Sequence, residues 1–172
     1  MLSLRSLLKL AKELDADAFV ARVQDPVLLL EEQHGQSSTD RFQTITGRSG
    51  ESGRQAATTG EDASPSDIIS IRKKARGKFS NMISVGRTTS NDVVIDLASV
   101  SKFHAYFFSK KPSQQWYLQD ADSANGTFVD DRPLSKASPA LLKDGCSVEF
   151  SRDTRFRFYT PEAFYRFLRP SP

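Results

Sequence analysis

The chain of 172 residues has one cysteine, two histidines and one tryptophan. A single cysteine, Cys146, excludes an internal disulfide framework and any cysteine-rich zinc site, and makes a reducing cytoplasm the default compartment. Cys146 itself reads as a small core hydrophobe. His34 and His104 lie far apart with no partners at ligand or triad spacing, so neither a metal site nor a catalytic cluster is read. There is no glycine-rich phosphate loop followed by lysine, no nucleophile elbow and no Cys/His pair, which leaves little catalytic material: no enzyme and no cofactor are expected. Long apolar runs are missing too. Lys9 and Lys12 interrupt the leucine-rich amino terminus, so it is read as neither a secretory signal nor a membrane segment. Charge of one sign is not concentrated either: a net charge of +3 with 26% charged residues is far from a dedicated nucleic-acid binder and suits a small anionic ligand better. The basic run at 72–78 reads as a solvated hairpin.

What is present divides the chain into four parts. In residues 1–32, Leu7, Leu10, Leu14 and Ala18 recur at helical spacing and predict an amphipathic helix; packing on its own domain or a sister subunit is favoured over a membrane-surface anchor, because few basic residues line its polar face. Pro26 ends that pattern, and the Val-Leu-Leu-Leu run at 27–30 fits either a buried strand or a second helix start. Residues 33–66 are rich in Ser, Thr and Gly, with almost no large apolar side chains beyond Phe42 and Ile45, and read as a flexible linker. Thr44, Thr46, Thr58 and Thr59 keep such a linker soluble; a kinase substrate is the sharper reading of the same residues. Residues 67–160 hold short apolar runs at intervals of roughly 8 to 12 residues, the pattern of an all-β sandwich of two sheets, with most of the twelve phenylalanines expected between the sheets. Residues 161–172 form a short helix and tail. Thr160 is its cap, Pro161 its first residue, and Ala163, Phe164, Phe167 and Leu168 its apolar face.

Within the sandwich, polar clusters fall where strands end: Gly86-Arg87, Ser101-Lys102-Phe103-His104, and the stretch from Asp120 through Ser123 and Ala124 to Asn125-Gly126-Thr127. Arg87 offers a planar permanent charge, Ser101 a compact hydroxyl and Asn125 an amide, a set that suits a phosphate ester. Asn125-Gly126 also reads as a turn, because both residues tolerate positive φ.

These clusters, with Trp116-Tyr117, Pro133-Leu134 and Leu142-Lys143-Asp144-Gly145 in the same order, resemble the forkhead-associated (FHA) family from about Ile68 to Tyr159. The resemblance implies an FHA-type β-sandwich of eleven strands, here with an amino-terminal helical and flexible extension and a short carboxy-terminal helix. It implies loops that bind phosphothreonine peptides of partner proteins, with a Ser/Thr protein kinase upstream; the charge pattern already leads to the expectation of neither nucleic acid nor membrane as partner. Carried over by position, Arg87 is the main phosphate ligand, Ser101 a hydroxyl donor, and Asn125 a ligand of the peptide backbone. Gly86 permits the turn that presents Arg87, while His104, Ser123, Gly126 and Thr127 support the loops. One departure stands out: Ala124 occupies a place where many members have a hydroxyl, the loss of which costs about 1.5 to 3 kcal/mol for a charge-assisted bond. Lys102 reads equally as a compensating ammonium and as a solvated lysine. Ala124 also keeps open a phosphate-independent interaction scaffold on the same fold. A phosphorylated linker threonine that reached Arg87 would make the module self-regulated.

Overall fold

The structure, a computed structural model, describes residues 3–31, 68–75 and 79–169. The linker at 33–66 with its threonines and His34, and part of the basic run at 72–78, lie outside the described residues.

The amino terminus forms two helices, α1 (Leu4–Glu13) and α2 (Ala16–Val23). The predicted helix breaks because Asp15 caps the second one: its carboxylate accepts from the Ala18 N–H at 2.8 Å while its own backbone is extended. Eleven strands follow: β1 (Val27–Leu30), β2 (Ile68–Ser70), β3 (Ile83–Gly86), β4 (Val93–Val94), β5 (Ala105–Lys110), β6 (Gln115–Asp120), β7 (Thr127–Val129), β8 (Arg132–Pro133), β9 (Ala140–Leu142), β10 (Ser147–Phe150) and β11 (Arg155–Tyr159). The last element is α3 (Pro161–Leu168), opened as expected by the Thr160 cap and Pro161. One sheet runs β2-β1-β11-β10-β7-β8 and the other β4-β3-β5-β6-β9.

The Val-Leu-Leu-Leu run is a strand, and its place explains why periodicity leaves it open. β1 lies between β2 and β11, antiparallel to both. Leu28 packs into the core between the sheets with Ile71, Phe107, Phe150 and Phe158. Val27 instead packs into a second core, with Leu7, Ala11, Phe19, Val23 and Phe164 of the three helices. A strand covered on both faces loses the alternation of polar and apolar residues that marks a half-exposed one. The helices therefore roof the six-stranded sheet, and α3 docks on the amino-terminal helices, where Tyr165 donates to the Leu14 carbonyl at 3.1 Å.

The phenylalanines are shared out differently from the expectation. Phe107, Phe150, Phe156 and Phe158 fill the space between the sheets, Phe19 and Phe164 belong to the helical core, and Phe79 and Phe103 are exposed. Phe167 on the apolar face of α3 is 47% exposed, so that face is only partly covered. Cys146 is buried, and burial pushes its thiol up to about 11, which fits an inert core side chain. Among the described residues no helix is long and apolar enough to cross a membrane.

Truncating Leu28 leaves a void at the centre of the larger core. Leu28→Ala is expected to lower stability by about 2 to 5 kcal/mol, read as a reduced urea midpoint at unchanged slope. A loss well under 1 kcal/mol would mean that β1 is not integral to the sandwich.

Candidate functional site

Three loops meet at one end of the five-stranded sheet. The first follows β3. Gly86 is the last residue of that strand and its backbone is not in the left-handed region. Its need for glycine is steric: a Cβ there would collide with the Lys102 carbonyl and with the Asn91 side chain. Gly86 thus serves close approach of two backbones, not the flexible turn expected from the sequence. The approach is closed by Asn91, whose amide donates to the Lys102 carbonyl at 2.6 Å and to the Thr88 carbonyl at 3.0 Å. Asp92 then anchors the loop, accepting from the Ser84 N–H, the Ser84 hydroxyl, the Lys74 N–H and Lys73 Nζ at 2.7 to 2.9 Å. Burial works to raise the Asp92 pKa, and these donors, Lys73 foremost, outweigh it and hold the carboxyl below its ordinary range.

Arg87 comes next along the chain. Its backbone N–H donates to the Ser101 carbonyl at 3.0 Å and its Nε to the Val100 carbonyl at 3.2 Å, which fixes the guanidinium plane beside the second loop. Its two Nη groups donate to nothing among the described residues, so the bidentate edge of the fork is unspent.

The second loop, residues 96–104, carries Ser101. Its hydroxyl oxygen accepts the Ala124 N–H at 3.0 Å. An oxygen that already accepts from one side directs its own proton elsewhere, and that proton meets no acceptor among the described residues. Lys102 beside it is exposed and takes part in no ion pair among the described residues.

The third loop lies between β6 and β7. Buried Asp120 organises it, accepting from the Ser123 N–H at 3.1 Å, the Ser123 hydroxyl at 2.6 Å and the Thr127 hydroxyl at 2.6 Å. Burial again pushes the carboxyl up, but the bonds from Ser123 and Thr127 outweigh it and hold Asp120 below the ordinary range. Gly126 turns the chain with a φ of +78°. Asn125 is exposed and donates to the Ser99 carbonyl at 2.8 Å, which orients the amide across the second loop and leaves its oxygen and second N–H unpartnered among the described residues.

His104 joins all three. The ring is fully buried, its Nδ1 accepts from the Ser101 N–H at 3.0 Å, and its Nε2 donates to the Gly126 carbonyl at 3.2 Å. Burial lowers its pKa, opposed by the Gly126 carbonyl and by Asp120. A proton on Nδ1 would face the Ser101 N–H, so the neutral ring with its hydrogen on Nε2 is the form these bonds require.

The structure therefore brings Arg87, Ser101, Lys102 and Asn125 to one rim, with Gly86, His104, Ser123, Gly126 and Thr127 behind it. Sequence reasoning missed the anchoring roles of Thr88, Asn91, Asp92 and Asp120. An Asn-Asp pair just after a Gly-Arg strand end was the available signal for two of these, since such residues bond local backbone.

The geometry is that of a two-sheet sandwich with a rim of unspent side-chain donors at one end. The model of the FHA domain matches residues 83–151, the stretch from β3 through β10. Over 79 residues the chain is 36% identical to the protein phosphatase 1 regulatory inhibitor subunit PPP1R8 homolog of Arabidopsis thaliana, covering 46% of this chain and 21% of that protein. Over 80 residues it is 29% identical to the sarcolemmal membrane-associated protein of Mus musculus, covering 44% of this chain and 10% of that protein. The chain thus spans from a tenth to a fifth of the length of these curated relatives. Among solved structures, Mycobacterium tuberculosis EmbR with a low-affinity phosphopeptide shares 28% identity over 47% of this chain and 20% of that one, at a TM-score of 0.41. The amino-terminal FHA domain of S. cerevisiae Rad53p with a phosphothreonine peptide shares 18% identity over 58% of this chain and 89% of that one, at 0.46.

The lowered His104 pKa has a consequence for stability. The unfolded chain binds a proton near pH 6.5 whereas the folded ring resists it, so the contribution is full above about pH 6.5 and is lost as pH falls below that value towards the folded pKa. Urea midpoints are expected to drop between pH 7.5 and 5.5, a range in which Asp92 and Asp120 stay ionised, and His104→Gln should flatten that drop. A His104 ring that titrates at or above 6.5 by NMR would contradict it.

Proposed function

We propose that the chain is a phosphothreonine-peptide-binding module that recruits phosphorylated partner proteins downstream of a Ser/Thr kinase in the cytoplasm. The observation that carries this reading is the state of the rim donors. Both Arg87 Nη groups, the Ser101 hydroxyl proton and the outer edge of the Asn125 amide stand unspent on the rim, while the Val100 and Ser99 carbonyls and the Ser101 oxygen already accept bonds that hold the loops. Such a set stabilises a dianion through the Arg fork and reads the adjoining peptide backbone through the amide. The reading is that of a binder and not a catalyst: His104, the one imidazole of the domain, is buried with both ring nitrogens committed to backbone groups, and Cys146 is buried with a raised pKa.

Ala124 is what favours the second reading, a phosphate-independent scaffold on the same fold. Its side chain adds no donor to the rim, and its N–H is taken by Ser101. Fluorescence anisotropy with matched phosphothreonine and unphosphorylated peptides separates the two. The phosphorylated peptide is expected to bind more tightly, and Arg87→Ala, which removes two charge-assisted bonds, to weaken it by about 100-fold. Equal binding of both peptides, unaffected by the substitution, would leave the scaffold.

The finer proposal is self-regulation: a phosphorylated threonine at 44, 46, 58 or 59 occupies the same rim from within the chain. A tethered ligand competes at roughly millimolar effective concentration, enough to mask a weak site. Kinase-treated full-length protein should then bind added phosphopeptide less tightly than untreated protein, with affinity restored when those four threonines are replaced by valine. Identical affinities before and after treatment would eliminate the switch.

A further inference from the structure

The outer face of the five-stranded sheet carries a feature that the rim does not use. Strand alternation sends Ala105 and Phe107 of β5 into the core and Tyr106 and Phe108 outward, and the register sets Tyr117 of β6 opposite Phe108. The outward rings form a continuous row. Phe79 and Phe103 lie 5.8 Å apart, Phe103 and Tyr106 6.4 Å apart and nearly parallel, Tyr106 and Phe108 6.1 Å, and Phe108 and Tyr117 5.3 Å and stacked. Phe79 and Phe103 are 39% and 37% exposed, and Leu141, opposite Tyr117 on β9, is 41% exposed. Three of the five exposed large apolar side chains among the described residues therefore cluster on one sheet face. The solvent face of an antiparallel sheet is ordinarily polar, and a contiguous apolar strip on it marks a contact surface.

Two observations say what covers it. The first is continuity. Lys102 stands between Ser101 of the rim and Phe103 of the row, and a cavity of about 420 Å³ opens there, lined by Phe79, Ser84, Thr88, Asn91, Lys102 and Phe103. A ligand held at the rim is thus at the mouth of the strip. The second is charge. Lys102 marks its upper end, Lys110 Nζ sits 4.5 Å above the Tyr117 ring at the lower end, and Lys111 follows. None of the three is in an ion pair among the described residues, and Asp92, the acid at that edge, is buried against Lys73. An apolar strip in a cationic frame complements an acidic segment that carries apolar side chains, and disfavours a basic one.

We propose that this aromatic row is a second docking surface for the phosphorylated partner: an acidic, extended segment outside the immediate neighbourhood of the phosphothreonine lays its apolar side chains along Phe103, Tyr106, Phe108 and Tyr117. The inference rests on the phosphopeptide reading above. The row runs from residue 103 along β5 to residue 110, and at about 3.3 Å per residue an extended segment of about eight residues covers it. Rim and row then act as two linked contacts, in which the phosphate fixes register and the row adds affinity and selectivity.

The test uses two probes: a phosphothreonine hexapeptide, and a phosphothreonine peptide library with ten randomised residues on each side. The wild-type chain is expected to enrich library members with alternating acidic and apolar residues in one flank, and to bind a selected member at least fivefold more tightly than the hexapeptide. Phe108→Ser, and separately the surface change Lys110→Glu, should remove that gain and leave the hexapeptide affinity within twofold. Library selection without any flank preference, or a flank gain that survives both substitutions, overturns the proposal and leaves the phosphopeptide reading intact. Capture of no phosphopeptide by the wild-type chain overturns both. If a labelled single-stranded oligonucleotide binds the wild-type chain and Phe108→Ser abolishes that binding, the row belongs to nucleic acid, and the docking of a peptide there is excluded.

Discussion

The rim depends on one buried imidazole. Neutral His104 accepts from the backbone of the loop that carries Ser101 and donates to the backbone of the loop that carries Gly126, while its own N–H donates to Val85 at the end of β3. Three segments that are remote along the chain are thereby held by a group that bears no charge in its folded form. A charged ring would break one of those bonds and would place a cation behind a site already rich in positive charge. Around this point every support follows the same rule: Asp92 and Asp120 are buried carboxylates whose lone pairs are consumed by loop N–H and hydroxyl groups. The supporting polar groups turn inward, and the rim donors are left pointing out.

The helices have a different role. They close the far face of the six-stranded sheet, and β1 is the element that joins the two cores, with Leu28 on one side and Val27 on the other. The stretch matched by the FHA model runs from residue 83 to residue 151, so the helical roof, β1, β2 and β11 lie outside the matched residues, although all three strands belong to the six-stranded sheet. Their placement leaves the rim and the outer face of the five-stranded sheet uncovered by described residues. A packed roof on one sheet and an open aromatic face on the other make the two sides of the sandwich chemically unlike.

Much of this was legible from the residues. Short apolar runs at regular spacing announced a sandwich, Thr160-Pro161 announced α3, and the Gly-Arg, Ser-x-x-His and Asn-Gly clusters announced the three loops. Each is a local pattern with a local physical cause, a cap, a turn or an alternation. The Val-Leu-Leu-Leu run was ambiguous because a strand buried on both faces has no alternation to read. The glycine at 86 was legible as a necessity but not as to its cause, since the carbonyl it admits belongs to Lys102, far along the chain.

The aromatic row was hidden for a related reason. Phe103, Tyr106, Phe108 and Tyr117 look in sequence like any other core-forming aromatics, and which of them faces solvent depends on strand phase and on the absence of a covering layer. Composition and spacing were sufficient for the fold class and for the residue types at the loops, because propensity, turn chemistry and capping act over a few residues. The bond that the Ser101 oxygen accepts, the protonation state of His104 and the side of the sheet left bare came from contacts between loops and strands many residues apart, and such contacts exist only once the chain has closed on itself.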